Sequence, residues 1–180
     1  MRRFVILLAA LICCPAIAAA QSVAQSRTWN VTPFVDVAVG TTAPTGSGGI
    51  GVGVGYDLTS NLGFEGELGH LFDVSGKDEN IDWSVTSFSG NAIYHFDVLH
   101  VTPYATVGLG FSRSNVQVDS PDPVALVQPS STEVTWNFGG GVKYPISDRL
   151  LARADLRRFQ ANDLAPDYWR IYGGITLVFK

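Results

Sequence analysis

Past residue 14 the chain has no cysteine, because Cys13 and Cys14 both stand inside an apolar N-terminal run. A mature protein lacking that run has neither a disulfide nor thiol chemistry, and its stability has to come from packing and backbone pairing. No later apolar run approaches the ~20 residues that a membrane-spanning helix needs. No basic cluster occurs either, and the net charge is −4, which argues against nucleic acid as a partner. Nor does any segment repeat its apolar residues at the 3.6-residue helical period. The 19 glycines, many within otherwise apolar stretches, are poor helix material.

The N-terminus reads as an export leader. Arg2 and Arg3 are followed by the uninterrupted apolar run Phe4 to Ile12, and Ala18-Ala19-Ala20 offers a cleavage site before Gln21. A membrane anchor is disfavoured by Pro15 and the shortness of the run. A lipoprotein is disfavoured by Ile12 before Cys13, where a small residue is wanted. Residues 1–20 are therefore expected to be a cleaved signal peptide and residues 21–180 one domain. Losing Arg2 and Arg3 takes the net charge from −4 to −6. An exported chain without a membrane helix is either a soluble protein or a barrel that spreads its apolar face over alternate residues.

Alternation of that kind is present throughout. In Tyr168 to Phe179, Trp169, Ile171, Ile175, Leu177 and Phe179 alternate with Arg170, Tyr172 and Thr176. A period of two with polar residues on one side is a strand. Eight such segments are read, at about 29–39, 48–57, 61–71, 83–96, 100–112, 132–144, 149–160 and 168–179. Their connections alternate in length. Leu58-Thr59-Ser60, Asp97-Val98-Leu99 and Pro145-Ile146-Ser147-Asp148 are tight, whereas Thr41 to Ser47, Asp73 to Asp82, Arg113 to Ser131 and Ala161 to Asp167 are mostly longer. Short periplasmic turns opposite long outer loops are the pattern of an outer-membrane barrel. The expected fold is all-β, an eight-stranded antiparallel up-and-down transmembrane β-barrel with both termini in the periplasm.

The two faces differ in chemistry. Val31, Val35 and Val37 oppose Asn30, Thr32 and Asp36; Ile50, Val52 and Val54 oppose glycines and Asp57. An eight-stranded barrel is just wide enough inside for side chains to fill it. The large apolar set would overfill it, so that set is assigned to lipid and the small, polar and charged set to the lumen. Tyr56, Phe96 and Tyr144 near the short turns, with Trp29 and Trp169 near strand ends, supply an aromatic girdle. The lumen then receives Asp36, Glu65, Glu67 and Asp155 against Lys143, Arg153, Arg157 and Arg170. Buried charges need partners, so these eight are expected to form one paired network that plugs the barrel.

The pattern resembles the small eight-stranded outer-membrane barrels: the membrane domain of OmpA-type proteins, the OmpX-like proteins and the porin-like outer membrane protein β-barrel domain group. The resemblance spans residues 21–180 and rests on the architecture and the closing strand. It implies an integral protein of the Gram-negative cell envelope. It also implies a C-terminal signal for the barrel-assembly machinery, carried here by Tyr168, Tyr172, Leu177 and Phe179. That signal usually ends on the aromatic, whereas Lys180 follows Phe179 here. Outer-membrane lipid, the assembly machinery with periplasmic chaperones and a surface ligand for the external loops are the implied partners.

Motifs for other chemistry are weak. Gly46 to Gly51 satisfies G-x-G-x-x-G but opens a strand, not a helix, so a nucleotide site lacks its setting. Glu65 and Glu67 could serve acid–base work, but the nearby basic residues give them a plainer role as lumen partners. His70, His95 and His100 form no zinc spacing. Asp73, Asp78, Glu79 and Asp82 match no calcium loop. No catalytic residue, metal or cofactor is expected. The expected role is structural or interactive. The alternatives are a narrow channel or transporter for small or apolar solutes, and a soluble secreted barrel with a lipid inside.

Overall fold

The computed structural model describes residues 26–40, 47–72, 81–96, 98, 100–118, 130–161 and 167–179, the last strand ending at Phe179. The expected signal peptide, Lys180 and the acidic loop residues Asp73, Asp78 and Glu79 lie outside the described residues. Those described hold strands and turns only: β1 (Thr28–Gly40), β2 (Ser47–Asp57), β3 (Leu62–Leu71), β4 (Ile81–His95), β5 (Thr102–Val118), β6 (Ser130–Ser147), β7 (Leu150–Ala161) and β8 (Tyr168–Phe179). Each strand pairs antiparallel with the next, and the order closes on itself as a barrel. The closing seam is β1 against β8, in register from Trp29↔Phe179 to Gly40↔Tyr168. The predicted architecture is correct.

The tight turns have local causes. Between β2 and β3, Thr59 Oγ1 accepts from the backbone N–H groups of Asn61 at 3.2 Å and Leu62 at 2.9 Å. The Leu58 N–H donates to the Leu62 carbonyl at 2.9 Å and closes the turn. Between β4 and β5, His100 takes a left-handed φ of 72°, which histidine enters more readily than most residues. The Phe96 N–H donates to the Pro103 carbonyl at 2.9 Å.

Two expected connections are shorter than the sequence suggests. Pro145 cannot donate to a ladder, and the expected turn starts there. The chain instead absorbs it in a register shift between Pro145 and Ser147, so β6 runs on and only Asp148 and Arg149 link it to β7. The expected loop from Arg113 to Ser131 is also overtaken by strand. Ser112↔Glu133, Arg113↔Thr132, Ser114↔Ser131 and Asn115↔Ser130 extend the β5–β6 ladder, and β5 pairs β4 as far as Val118↔Ile81. The residues of the β5–β6 extension are polar on both sides, so apolar alternation could not mark them.

The faces separate as the alternation demands. Asn30, Thr32, Asp36, Asp57, Glu65 and Glu67 are buried, whereas Leu109 is 68% exposed, Val35 65%, Phe88 56% and Phe111 56%. A band of bulky apolar side chains exposed on every side is untenable in water and suited to lipid. Trp29 and Tyr56 pair at 5.0 Å between ring centroids at the end of the barrel that carries the short turns, and Tyr94 with Phe96 at 5.1 Å.

A closed barrel of this kind keeps its ladder in detergent until heated. The unheated protein is expected to migrate differently from the boiled protein on a denaturing gel of the membrane fraction. An absent shift contradicts closure.

Candidate functional site

The lumen is the only place in the barrel where charge is concentrated among the described residues, and it is built from strands on opposite walls. Along β2 the inward positions are Gly49, Gly51, Gly53 and Gly55, ending in Asp57. This wall has no side chains for most of its length, so neighbouring strands fold theirs onto it. At Gly51 a Cβ would stand 2.2 Å from Phe34 Cζ and 2.6 Å from the Leu68 carbonyl oxygen. The phenyl ring of Phe34 occupies that gap and stacks on Tyr172 at 4.6 Å.

Across the hollow, carboxylates of β3 meet guanidinium groups of β7 and β8. Arg153 donates from Nη1 to Glu65 Oε2 and from Nη2 to Glu65 Oε1 at 3.1 Å, a bidentate pair. Arg157 binds Glu65 at 3.1 Å, Glu67 at 3.1 Å and Asp155 at 3.0 Å. Arg170 binds Glu67 through Nη2 and stands 3.8 Å from Asp36 through Nε. Arg157 and Arg170 are among the most deeply buried side chains described. Such groups persist inside a barrel only because opposite charges stand beside them.

Tyrosines complete the coordination. Tyr104 donates its hydroxyl hydrogen to Asp155 Oδ2 and accepts from Arg153 Nε at 2.7 Å. Tyr172 accepts from Arg157 Nη2 at 3.1 Å. The barrel is also bridged by Asn137 donating to Asn91 at 3.0 Å, and by the Thr32–Thr176 hydroxyl pair at 2.8 Å. Toward the loop end, Ala38, Leu71, Val85, Phe159 and Tyr168 form a buried apolar cluster inside the lumen. Arg170 lies over Phe159 at 4.5 Å, joining that cluster to the charged layer.

All eight lumen residues expected from the sequence are buried. Seven of them, Asp36, Glu65, Glu67, Arg153, Asp155, Arg157 and Arg170, join a single set of ion pairs. Lys143 differs: its Nζ lies 2.9 Å from His95 Nε2, so its direct partner is an imidazole and not a carboxylate. An ammonium has no lone pair to offer, so with Lys143 charged it donates and His95 Nε2 accepts. The expected balance of four acids against four bases also needs correcting, because Asp57 is buried as well, held by Asn30 Nδ2 at 3.0 Å. Its place on the glycine face of β2 was the signal for it. Phe34 and Phe159 in the lumen contradict the small, polar interior. Gly51 on the neighbouring strand makes the room for Phe34, and Phe159 packs in the apolar cluster, neither of which a single strand reveals.

In β8, Leu177 and Phe179 point outward while Tyr168 and Tyr172 point into the lumen, so the residues read as an assembly signal divide between the two faces. Asp73, Asp78 and Glu79 lie outside the described residues, and among those described no metal-holding set of His, Cys, Asp or Glu occurs.

The profile of the outer membrane protein beta-barrel domain family matches residues 5–175. No curated protein matches by sequence. Solved structures share the fold. The N-terminal β-barrel domain of Pseudomonas aeruginosa OprF is 22% identical, with 86% of this chain and 98% of that one covered at a TM-score of 0.62. Neisserial surface protein A is 18% identical, with 84% and 96% covered at 0.63. OprG, an outer membrane protein of Pseudomonas aeruginosa, is 12% identical, with 86% and 97% covered at 0.64.

Arg157→Met leaves Glu65, Glu67 and Asp155 short of a partner. It is expected to lower the unfolding free energy by about 3–5 kcal/mol. Urea titration of tryptophan fluorescence in lipid vesicles measures the loss.

Proposed function

The chain belongs to the outer membrane protein β-barrel domain family, and from that premise we propose that it is a surface-presenting envelope protein with a closed lumen. Its location is the bacterial outer membrane, and the apolar band described above is its lipid contact. The observation that carries the reading is the filled interior. Three guanidinium groups from β7 and β8 reach carboxylates on β1, β3 and β7 in a barrel already narrow at eight strands. An apolar layer of Phe159, Tyr168 and Leu71 lies on the loop side of that network. Ions crossing would have to break the ion pairs and then pass the apolar layer.

The same architecture supports presentation. β3 ends at Leu71 opposite Val85, and β7 ends at Ala161 opposite Thr135. Beyond those points, among the described residues, β4, β5 and β6 pair with one another, so a three-stranded ribbon continues past the rim. Such a ribbon carries backbone edges of the kind that can meet a partner at the cell surface. No reacting group is needed for this role, and none is assigned. In the same reading, residues 1–20 are removed on export, and the outward Leu177 and Phe179 of β8 are what the assembly machinery meets.

Planar-bilayer recording tests the closed lumen. The purified barrel is expected to give no steady open-channel steps. Steady steps would overturn the reading in favour of a narrow conduit for small solutes. An intact mass beginning at Gln21 in protein extracted from the outer membrane checks the leader.

A further inference from the structure

The lipid-facing band is not uniformly bulky. Gly66 of β3 and Gly90 of β4 face each other directly across the ladder, and both point outward. With Ala92 beside them they form the floor of a bowl walled by Val54, Phe64, Val107 and Leu109. The bowl is wide open to the outside and has a volume of about 670 Å³. The barrel's own packing does not force glycine there. A Cβ built on Gly90 meets nothing within 4 Å, and one on Gly66 meets only the Val54 carbonyl at 4.0 Å. Glycine in a strand interior weakens it, since it brings no side chain to pack and loses more entropy. The hollow is therefore kept at a cost to the barrel itself.

The bowl has a direction. Its periplasmic lip is the Trp29–Tyr56 pair, the amphipathic rings that settle at the level of lipid headgroups. Two residues before Trp29, at the same end of the barrel, stands exposed Arg27, whose N–H donates to the Asp57 carbonyl at 2.6 Å. Arg27 adds a positive charge at the end of the barrel that carries the aromatic lip, and from that lip an apolar hollow rises toward the middle of the membrane. That order matches a phospholipid from phosphate to acyl chain. A second copy of the chain fits less well. The walls stand proud, with Leu109 68% and Phe64 52% exposed, so two facing bowls would meet at their rims and leave both hollow.

We propose that the Gly66–Gly90 bowl holds one acyl chain of a periplasmic-leaflet phospholipid, with its phosphate at Arg27. Native mass spectrometry of the barrel released from nanodiscs of mixed phosphatidylglycerol and phosphatidylethanolamine tests this. The wild type is expected to retain one phospholipid. Gly90→Leu fills the bowl from a position with open space and is expected to cut retention about tenfold, the effect of losing contact with roughly two methylenes. Arg27→Gln is expected to weaken retention and to erase any preference for phosphatidylglycerol. Gly173→Leu is the control, an outward glycine on β8 whose Cβ also meets nothing within 4 Å. It is expected to retain the lipid as the wild type does. Heat-modifiable migration confirms that each variant is folded. A wild type without bound phospholipid, equal losses in Gly90→Leu and Gly173→Leu, or a dimer abolished by Gly90→Leu would each overturn the proposal.

Discussion

Everything in this barrel depends on the closure of β1 on β8. Hydrocarbon offers no partner to a backbone N–H or carbonyl, so a sheet can sit in lipid only if no edge remains. The pairing from Trp29↔Phe179 to Gly40↔Tyr168 removes the last edge. Closure at eight strands then sets the interior width, and the width sets the chemistry. Water cannot fill so small a space generously, so inward side chains must satisfy one another. The arginine–carboxylate–tyrosine network is a consequence of the seam as much as of its own residues.

Closure also explains the glycines of β2. A barrel this narrow cannot take long side chains from all its walls. Arg153, Arg157 and Arg170 enter from β7 and β8, and Phe34, Tyr104 and Tyr172 enter beside them. The opposite side must recede, and Gly49, Gly51, Gly53 and Gly55 are the receding wall. Gly51 and Phe34 show the coupling directly, since any Cβ at Gly51 would occupy the place of the ring. Bulk on one wall and its absence on the other are one packing solution divided between distant segments of the chain.

That division sets what could be read from the sequence. The eight strands, their faces and the lumen position of every expected charge follow from a period of two, which is local. Turn placement follows less well. Pro145 looks like a terminator until a register shift accommodates it, and the β5–β6 extension has no apolar alternation to reveal it. Partner choice was not legible at all. Lys143 meets His95 from a strand two places away in the barrel, and Asp57 meets Asn30 across the first hairpin. Pairings of this kind depend on relative heights in the lumen, which the register of eight ladders fixes jointly. The bowl at Gly66 and Gly90 was invisible for the same reason, because it needs the Gly66↔Gly90 pairing before two glycines become one hollow.

The network in turn constrains the register. A slip of one residue between strands exchanges the faces of the strand that slips. In β7 such a slip would send Arg153, Asp155 and Arg157 into lipid and bring Leu156 and Ala154 inside. Glu65 and Glu67 on β3 would then be buried without their cations, a loss far larger than that of a single surface contact. A slip of two residues keeps the faces but displaces each guanidinium along the barrel by about 7 Å, beyond ion-pair reach. The ladder hydrogen bonds are nearly indifferent to either slip, since backbone groups pair equally well in any register. The charged interior is not indifferent, and it distinguishes one closure of the sheet from its neighbours.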